Sequence, residues 1–236
     1  MCTACDLILI RHEEATGNVA LIRSAAGDNS LFVGEVVERP SCEWPLTATG
    51  ERRAQELGDW IRSTIDLSAF QFATSPSRRT HQTAQMVLPG KQWATNNLIR
   101  GRHWGGIEQV PRMEWMSFCQ RHGHDHLPEG FYEAFPGGES MCRVWQRGYV
   151  FTRSLPQSTI VVTHGEVMQA VRMLVERIPL QSLAELDRDG NHVRNGQLVW
   201  YSRRDPATEL CTPHFRFKRI CVWGRDSGWQ QMPTTY

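Results

Sequence analysis

Apolar and polar positions fall into two alternating kinds of block. Leu7–Ile10 and Ile160–Val162 are short runs apolar on both faces, the mark of strands buried in a parallel sheet. "FQFATSP", ending at Pro76, reads as a third, shorter strand. Between them lie stretches with helical spacing. Over Thr47–Thr64, Ala54, Leu57, Trp60 and Ile61 recur on one face with charges opposite, and Thr47 or Thr49 can cap the helix. Further helices are predicted from about Ser77 to Val87, closed by Pro89-Gly90, over Arg112–Arg121, over Glu139–Leu155, and from Gly165 through Glu176. Two late strands are expected near Gln197–Ser202 and His214–Val222. Gly27–Pro45 is polar, contains Gly34, Pro40 and Pro45, and reads as a loop excursion.

Strands alternating with helices predict an α/β fold: a three-layer α/β/α sandwich whose central sheet is mostly parallel, with helices on both faces. Residues 1–236 are expected to form a single domain, a length that buries roughly 70–75% of the unfolded surface without staples. In such sheets ligands bind beyond the carboxyl ends of the strands.

Composition narrows the function classes. A net charge of +1 gives no electrostatic reason to expect nucleic acid or an anionic membrane as partner. No stretch approaches the ~20 apolar residues of a membrane span. The first apolar run is short and contains Asp6, so no secretory leader is expected. The seven cysteines are scattered and odd in number, which fits reduced thiols and a cytoplasmic location. Cys2-x-x-Cys5 is a lone pair without a second, a weak zinc signal. Lysine occurs only at Lys91 and Lys218, so nearly all basic residues are arginines, which suit bidentate phosphate or carboxylate binding.

Three predicted strand ends carry polar residues to one sheet edge. The first delivers Arg11 and His12, the second Ser75 with Arg78 and Arg79 opening the next helix, and the third His164. Two histidines among arginines make an anion site that needs no metal or other cofactor. A neutral imidazole nitrogen can attack phosphorus in line, and the arginines supply fixed donors for the charge of the transition state.

In these residues the chain resembles the histidine phosphatase superfamily, in its phosphoglycerate-mutase-like branch. "RHEEATGN" resembles the leading Arg-His-Gly-Glu-x-x-x-Asn motif, and "SPSRRTHQTA" aligns Arg79 with the phosphate-binding arginine. "PLTATGERRAQELG", "FPGGES" with Arg147 downstream, "VVTHGE" and "VRNGQLVWY" match further family segments in family order. The resemblance implies that His12 is the phosphorylated nucleophile and that Arg11, Arg79 and His164 bind the phosphoryl group. It places Asn18 at the pocket rim, and Glu14, Thr16, Gly17 and Gly165 among the substrate contacts. It also implies a small cap built from insertions near residues 27–45 and 108–135.

Two positions depart from the family pattern. The glycine after the nucleophile is Glu13, whose carboxylate is expected to point outward and pair with an arginine. The usual proton-donor glutamate becomes Gly101 in "LIRGRHWGGIE", leaving Glu108, Glu14 or His103 as substitutes, or a leaving group acidic enough to need none. "CQRHGHDH" contains a second Arg-His-Gly and a spacing one residue short of a dinuclear metal motif. It follows an amphipathic stretch and reads as a solvated histidine-rich loop. The expected activity is hydrolysis of a phosphomonoester on a small metabolite through a phosphohistidine. A phosphoglycerate-type mutase and a non-catalytic phospho-ligand binder remain the alternatives. The expected partner is the phosphorylated substrate, and a homodimer is left open.

Overall fold

A computed structural model describes residues 4–128, 130–182 and 192–232. The chain runs β1 (Asp6–Arg11), α1 (Thr16–Ala25), α2 (Glu35–Glu38), α3 (Ala48–Thr64), β2 (Gln71–Thr74), α4 (Arg78–Val87), β3 (Ala94–Thr95), α5 (Trp115–Arg121), α6 (Met141–Arg153), β4 (Thr159–Thr163), α7 (Gly165–Val175), β5 (Leu198–Ser202), β6 (Phe217–Val222) and β7 (Arg225–Gln231). Cys2 of the Cys2-x-x-Cys5 pair lies outside the described residues. Among them, no helix is long and apolar enough to cross a membrane.

The strands form one sheet in the order β3-β2-β4-β1-β5-β6-β7. β4 is fully and β1 largely buried, β2 is buried at its carboxyl half, and their alternate residues feed two separate cores. Leu7 and Leu9 point into a cluster with Met141, Val144, Phe151, Val167, Met168 and Val171 of α6 and α7. Ile8 and Ile10 point to the other face, against Ala54, Leu57 and Ile61 of α3 and Ala84 and Val87 of α4. Each such buried aliphatic side chain contributes about 1.5–3 kcal/mol. This is the three-layer arrangement that two-sided apolar strands require.

The expectation of a mostly parallel sheet is corrected. β3, β2, β4 and β1 pair in parallel, but β1–β5, β5–β6 and β6–β7 pair antiparallel, so the sheet is mixed. Parallel neighbours need a long crossover, usually a helix. No helix separates β5, β6 and β7. Thr47 caps α3 by accepting a hydrogen bond from the Gly50 amide at 3.0 Å, which settles the choice between Thr47 and Thr49.

Two satellite clusters sit over the carboxyl ends of the parallel strands. One gathers Ala20, Val36 and Trp44 from α1 and the 27–45 excursion. The other gathers Ile107, Cys119 and Phe135, with Trp104, Trp115 and Phe118 packed on them. Gln109 donates to the Arg39 carbonyl and the Arg112 amide to Ser24 Oγ, each at 2.7 Å, so the two cap segments are tied together.

Candidate active site

Strand register brings the chemistry together. In the β1–β4 pairing Arg11 lies opposite Thr163, and the His12 amide donates to the Thr163 carbonyl at 2.9 Å. His12 and His164 are therefore the next residues on adjacent parallel strands. β2 ends beside them, with the Ser75 amide donating to the Val162 carbonyl at 3.0 Å. The two imidazoles are buried, their ring centroids 5.1 Å apart at an interplanar angle of 66°.

Arg79, in the first turn of α4, bridges them. Its Nε donates to His12 Nε2 at 3.1 Å and a terminal nitrogen donates to His164 Nδ1 at 3.2 Å. Another terminal nitrogen donates to the Ser41 carbonyl. His12 Nδ1 lies 2.7 Å from the Glu13 carbonyl, which assigns the proton to Nδ1 and the lone pair to Nε2. The same logic at His164 puts the proton on Nε2, facing Ser75 Oγ at 2.7 Å. Burial, with Arg79 and Arg11 close by, holds both imidazoles well below the ordinary value, so both are neutral at neutral pH. Burial lowers Arg79 to about 10, which still leaves it protonated. Arg11 donates to the Val193 carbonyl, while its buried Nε has no partner.

These residues line a cavity of about 1080 Å³, together with Glu14, Asn18, Gly101, Glu108, Gly165 and Glu166. Trp44, Trp104, Trp115 and Phe135 form its aromatic wall. Asn18 Oδ1 accepts from the Ala15 amide at 3.1 Å, and Asn195 Nδ2 donates to the His12 carbonyl at 3.0 Å. Glu14 accepts from Thr47 Oγ1 at 2.7 Å. Glu108 accepts from Ser41 Oγ and, at 3.0 Å, from the Trp104 amide. His103 Nε2 stands 4.0 Å from the Glu108 carboxylate. Thr16 and Gly17 do not line the cavity, and Gly17 instead packs beneath the Trp44 indole.

Gly101 is held at the site by a buried ion pair. Arg147 binds Glu139 through two 2.9 Å bonds and also donates to the carbonyls of Leu98, Arg100 and Gly101. Burial alone would raise Glu139, but Arg147 and Arg100 more than reverse this and hold it below the ordinary value.

Glu13 is a correction. Its side chain is fully buried, not turned outward, and it forms no ion pair among the described residues. Oε2 accepts from the Glu14 amide at 3.2 Å, and Oε1 has no partner. A β-carbon at Gly196 (φ 68°) would sit 1.8 Å from Oε1, so the left-handed glycine is what leaves room for the carboxyl. Burial raises Glu13 to about 7.

Glu166 escaped the sequence reading. It opens α7 directly after the His164-Gly165 pair, lines the cavity, and makes no hydrogen bond or ion pair among the described residues. Its one signal in the sequence is an acid in the first turn after the "TH" strand end. In the histidine-rich loop, His122 stacks on Phe118 at 4.2 Å and His126 lies 3.4 Å from Glu133. No cluster of three or more metal-ligating side chains occurs among the described residues.

Comparison with known proteins bears on the family and the fold. The chain is 25% identical over 196 residues to a 2,3-bisphosphoglycerate-dependent phosphoglycerate mutase of Cytophaga hutchinsonii, covering 77% of this chain and 82% of that protein. Its fold is shared with the mycobacterial glucosyl-3-phosphoglycerate phosphatase (TM-score 0.66, 16% identity, 93% of this chain and 98% of that one). It is also shared with the alpha-ribazole phosphatase of Shigella flexneri (TM-score 0.59, 19% identity, 89% and 96%). The sequence profile of the histidine phosphatase superfamily (branch 1) matches residues 34–205, a span that holds Arg79, Gly101 and His164 and begins after His12. With that match over most of its length, the chain belongs to the histidine phosphatase superfamily.

Proposed function

We propose that the protein hydrolyses phosphomonoesters through a phosphohistidine on His12 and needs no metal ion for the chemistry. The observation that carries this reading is Arg79 set between two neutral histidines, with the lone pair of His12 Nε2 directed at its guanidinium. A phosphoryl group entering there takes over the donors of Arg79 and the unpaired Nε–H of Arg11. His12 Nε2 then attacks phosphorus, the P–N bond forms, and the bond to the leaving oxygen breaks. Water attacks the phosphoenzyme in the second step, the P–N bond breaks, and phosphate leaves. The guanidiniums of Arg11 and Arg79 carry the negative charge of both transition states, and His164, anchored on Ser75 through Nε2, holds Arg79 in place through Nδ1. Those fixed positive groups do the work that a metal ion does in other phosphatases. The phosphatases among the structural neighbours support hydrolysis.

Gly101 favours a second reading, in which the pocket binds a phosphorylated ligand without turning it over. Incubation with 4-nitrophenyl phosphate in the presence of EDTA separates the two, because nitrophenolate leaves without a proton. Turnover that is lost in His12→Ala supports the hydrolase. No release of nitrophenol, with phosphate still bound, supports the binder. Activity abolished by EDTA and restored by a divalent ion overturns metal independence.

A further inference from the structure

Three side chains at the solvent end of the cavity form a charged group that the chemistry above does not use. Arg53 projects from α3, Arg194 from the segment before β5, and Trp223 from the turn between β6 and β7, and all three line the cavity that holds His12. The guanidinium carbons of Arg53 and Arg194 lie 4.8 Å and 6.0 Å from the Trp223 ring centroid. Neither guanidinium forms a hydrogen bond or ion pair among the described residues. Arg194 adjoins Asn195, whose side chain is bonded to the His12 carbonyl, so this group is coupled to the reacting end through one residue.

The backbone gives a second, independent sign. Trp223 (φ 48°) and Gly224 (φ 76°) make a tight hairpin turn with both residues left-handed. Asn-Gly is the usual pair in such a turn, and a bulky aromatic there is an outlier. Trp223 is nevertheless 49% exposed, so core packing does not account for it. What it does contact is the pair of arginines. An indole face attracts guanidinium groups and limits their freedom; the charge of Arg53 is felt by the buried Glu13 carboxyl, but two forks that hydrogen-bond no acid among the described residues are a receptor for an oxyanion.

We propose that Arg53, Arg194 and Trp223 form a distal anion subsite, which selects phosphomonoesters bearing a second oxyanion at the end remote from the scissile phosphoryl group. The cavity's aromatic lining, including Trp44 and Trp104, offers apolar surface to the rest of such a molecule. The inference rests on the reading of the His12 end as a phosphatase centre.

The test uses phenyl phosphates carrying, on tethers of increasing length, a carboxylate, a phosphonate or the uncharged methyl ester. In the wild type, at one tether length or more, the charged compound has a kcat/KM about ten-fold or more above its ester, mainly through KM, and the ratio falls with added salt. The carboxylate and phosphonate arms show which oxyanion is preferred. The ratio drops to about one in Arg53→Ala and Arg194→Ala. It also drops in Trp223→Asn, which keeps a residue suited to the turn. Equal kcat/KM for charged and ester compounds at every tether length overturns the subsite, as does a preference that persists in both arginine variants. If no aryl phosphate is hydrolysed, the phosphatase reading fails. Calorimetric affinities of the same compounds for His12→Ala then decide the subsite, with a similar preference expected and equal affinities contradicting it.

Discussion

A β-carbon built on Gly101 would lie 3.2 Å from Nδ1 of His164 and 3.3 Å from the ring's Cε1 and Cγ. The position where the family resemblance expects a proton-donating glutamate therefore does face the candidate phosphoryl site, and it is empty of side chain. Glu108 does not simply replace it, because its oxygens already accept from Ser41 Oγ and the Trp104 amide. The wild-type rate should fall steeply as leaving-group pKa rises, with nitrophenyl phosphate good and alkyl phosphates poor. Gly101→Glu should raise kcat/KM for alkyl esters by about 10- to 100-fold, at the low end of general acid catalysis because the His164 ring must yield slightly. Kinetics across a leaving-group series for wild type, Gly101→Glu, Glu108→Gln and Glu166→Gln check this. A shallow wild-type slope that steepens in one glutamine variant would identify that glutamate as the donor.

Arg79 holds three acceptors with one planar group: both imidazoles and the Ser41 carbonyl. Arg79→Ala should lower kcat/KM for aryl phosphates by about 100-fold or more, the usual scale for losing a preorganised donor to a transition-state anion. Arg79→Lys should recover little of this, since an ammonium cannot reproduce the fork. A loss under ten-fold for the alanine variant would move the phosphate site elsewhere.

Burial and the neighbouring guanidiniums keep the protons off His12 and His164. Their ring signals, followed by NMR and assigned with the His12→Ala and His164→Ala variants, should titrate with midpoints well below 6.5. As pH falls through 6.5 the unfolded chain takes up protons that the folded rings refuse, so these two residues cost stability in acid. A midpoint at or above 6.5 for either ring would contradict the assigned neutral state.

Much of this site was legible in the sequence because its parts lie at the ends of the most apolar runs. Leu7–Ile10 and Thr159–Thr163 are buried on both faces, and such strands deliver their next residues to the sheet edge whatever the loops do. The antiparallel half of the sheet was harder to read. β7, "RDSGWQQ", is an edge strand with most side chains exposed and no apolar alternation. α1 begins at Thr16 without a capping side chain at Ala15, and its first turn is secured by Asn18 Oδ1 on the Ala15 amide. The burial of Glu13 depends on the space left by Gly196, a residue remote in sequence, and no local pattern reports that.

Glu13 sets a stability slope of opposite sign to the histidines. Its folded pKa of about 7 exceeds the ordinary 4.5, so the folded state binds more protons between those values and stability falls as pH rises through that window. Above it the burial of charge costs about 3 kcal/mol, the equivalent of the shift. Glu13→Gln should therefore raise the unfolding free energy at pH 8 by about 1–3 kcal/mol and change it little at pH 4.5. Denaturant unfolding at the two pH values measures the difference. Equal effects at both, or destabilisation confined to pH 8, would show the carboxylate to be paired.

The most direct test of the account is to trap the phosphoenzyme. Wild-type protein quenched during turnover of a phosphorus-labelled aryl phosphate should carry label that is acid-labile and base-stable, on the peptide containing His12, and His12→Ala should carry none. Label on a serine or an aspartate, or label that persists in His12→Ala, would contradict covalent catalysis by His12.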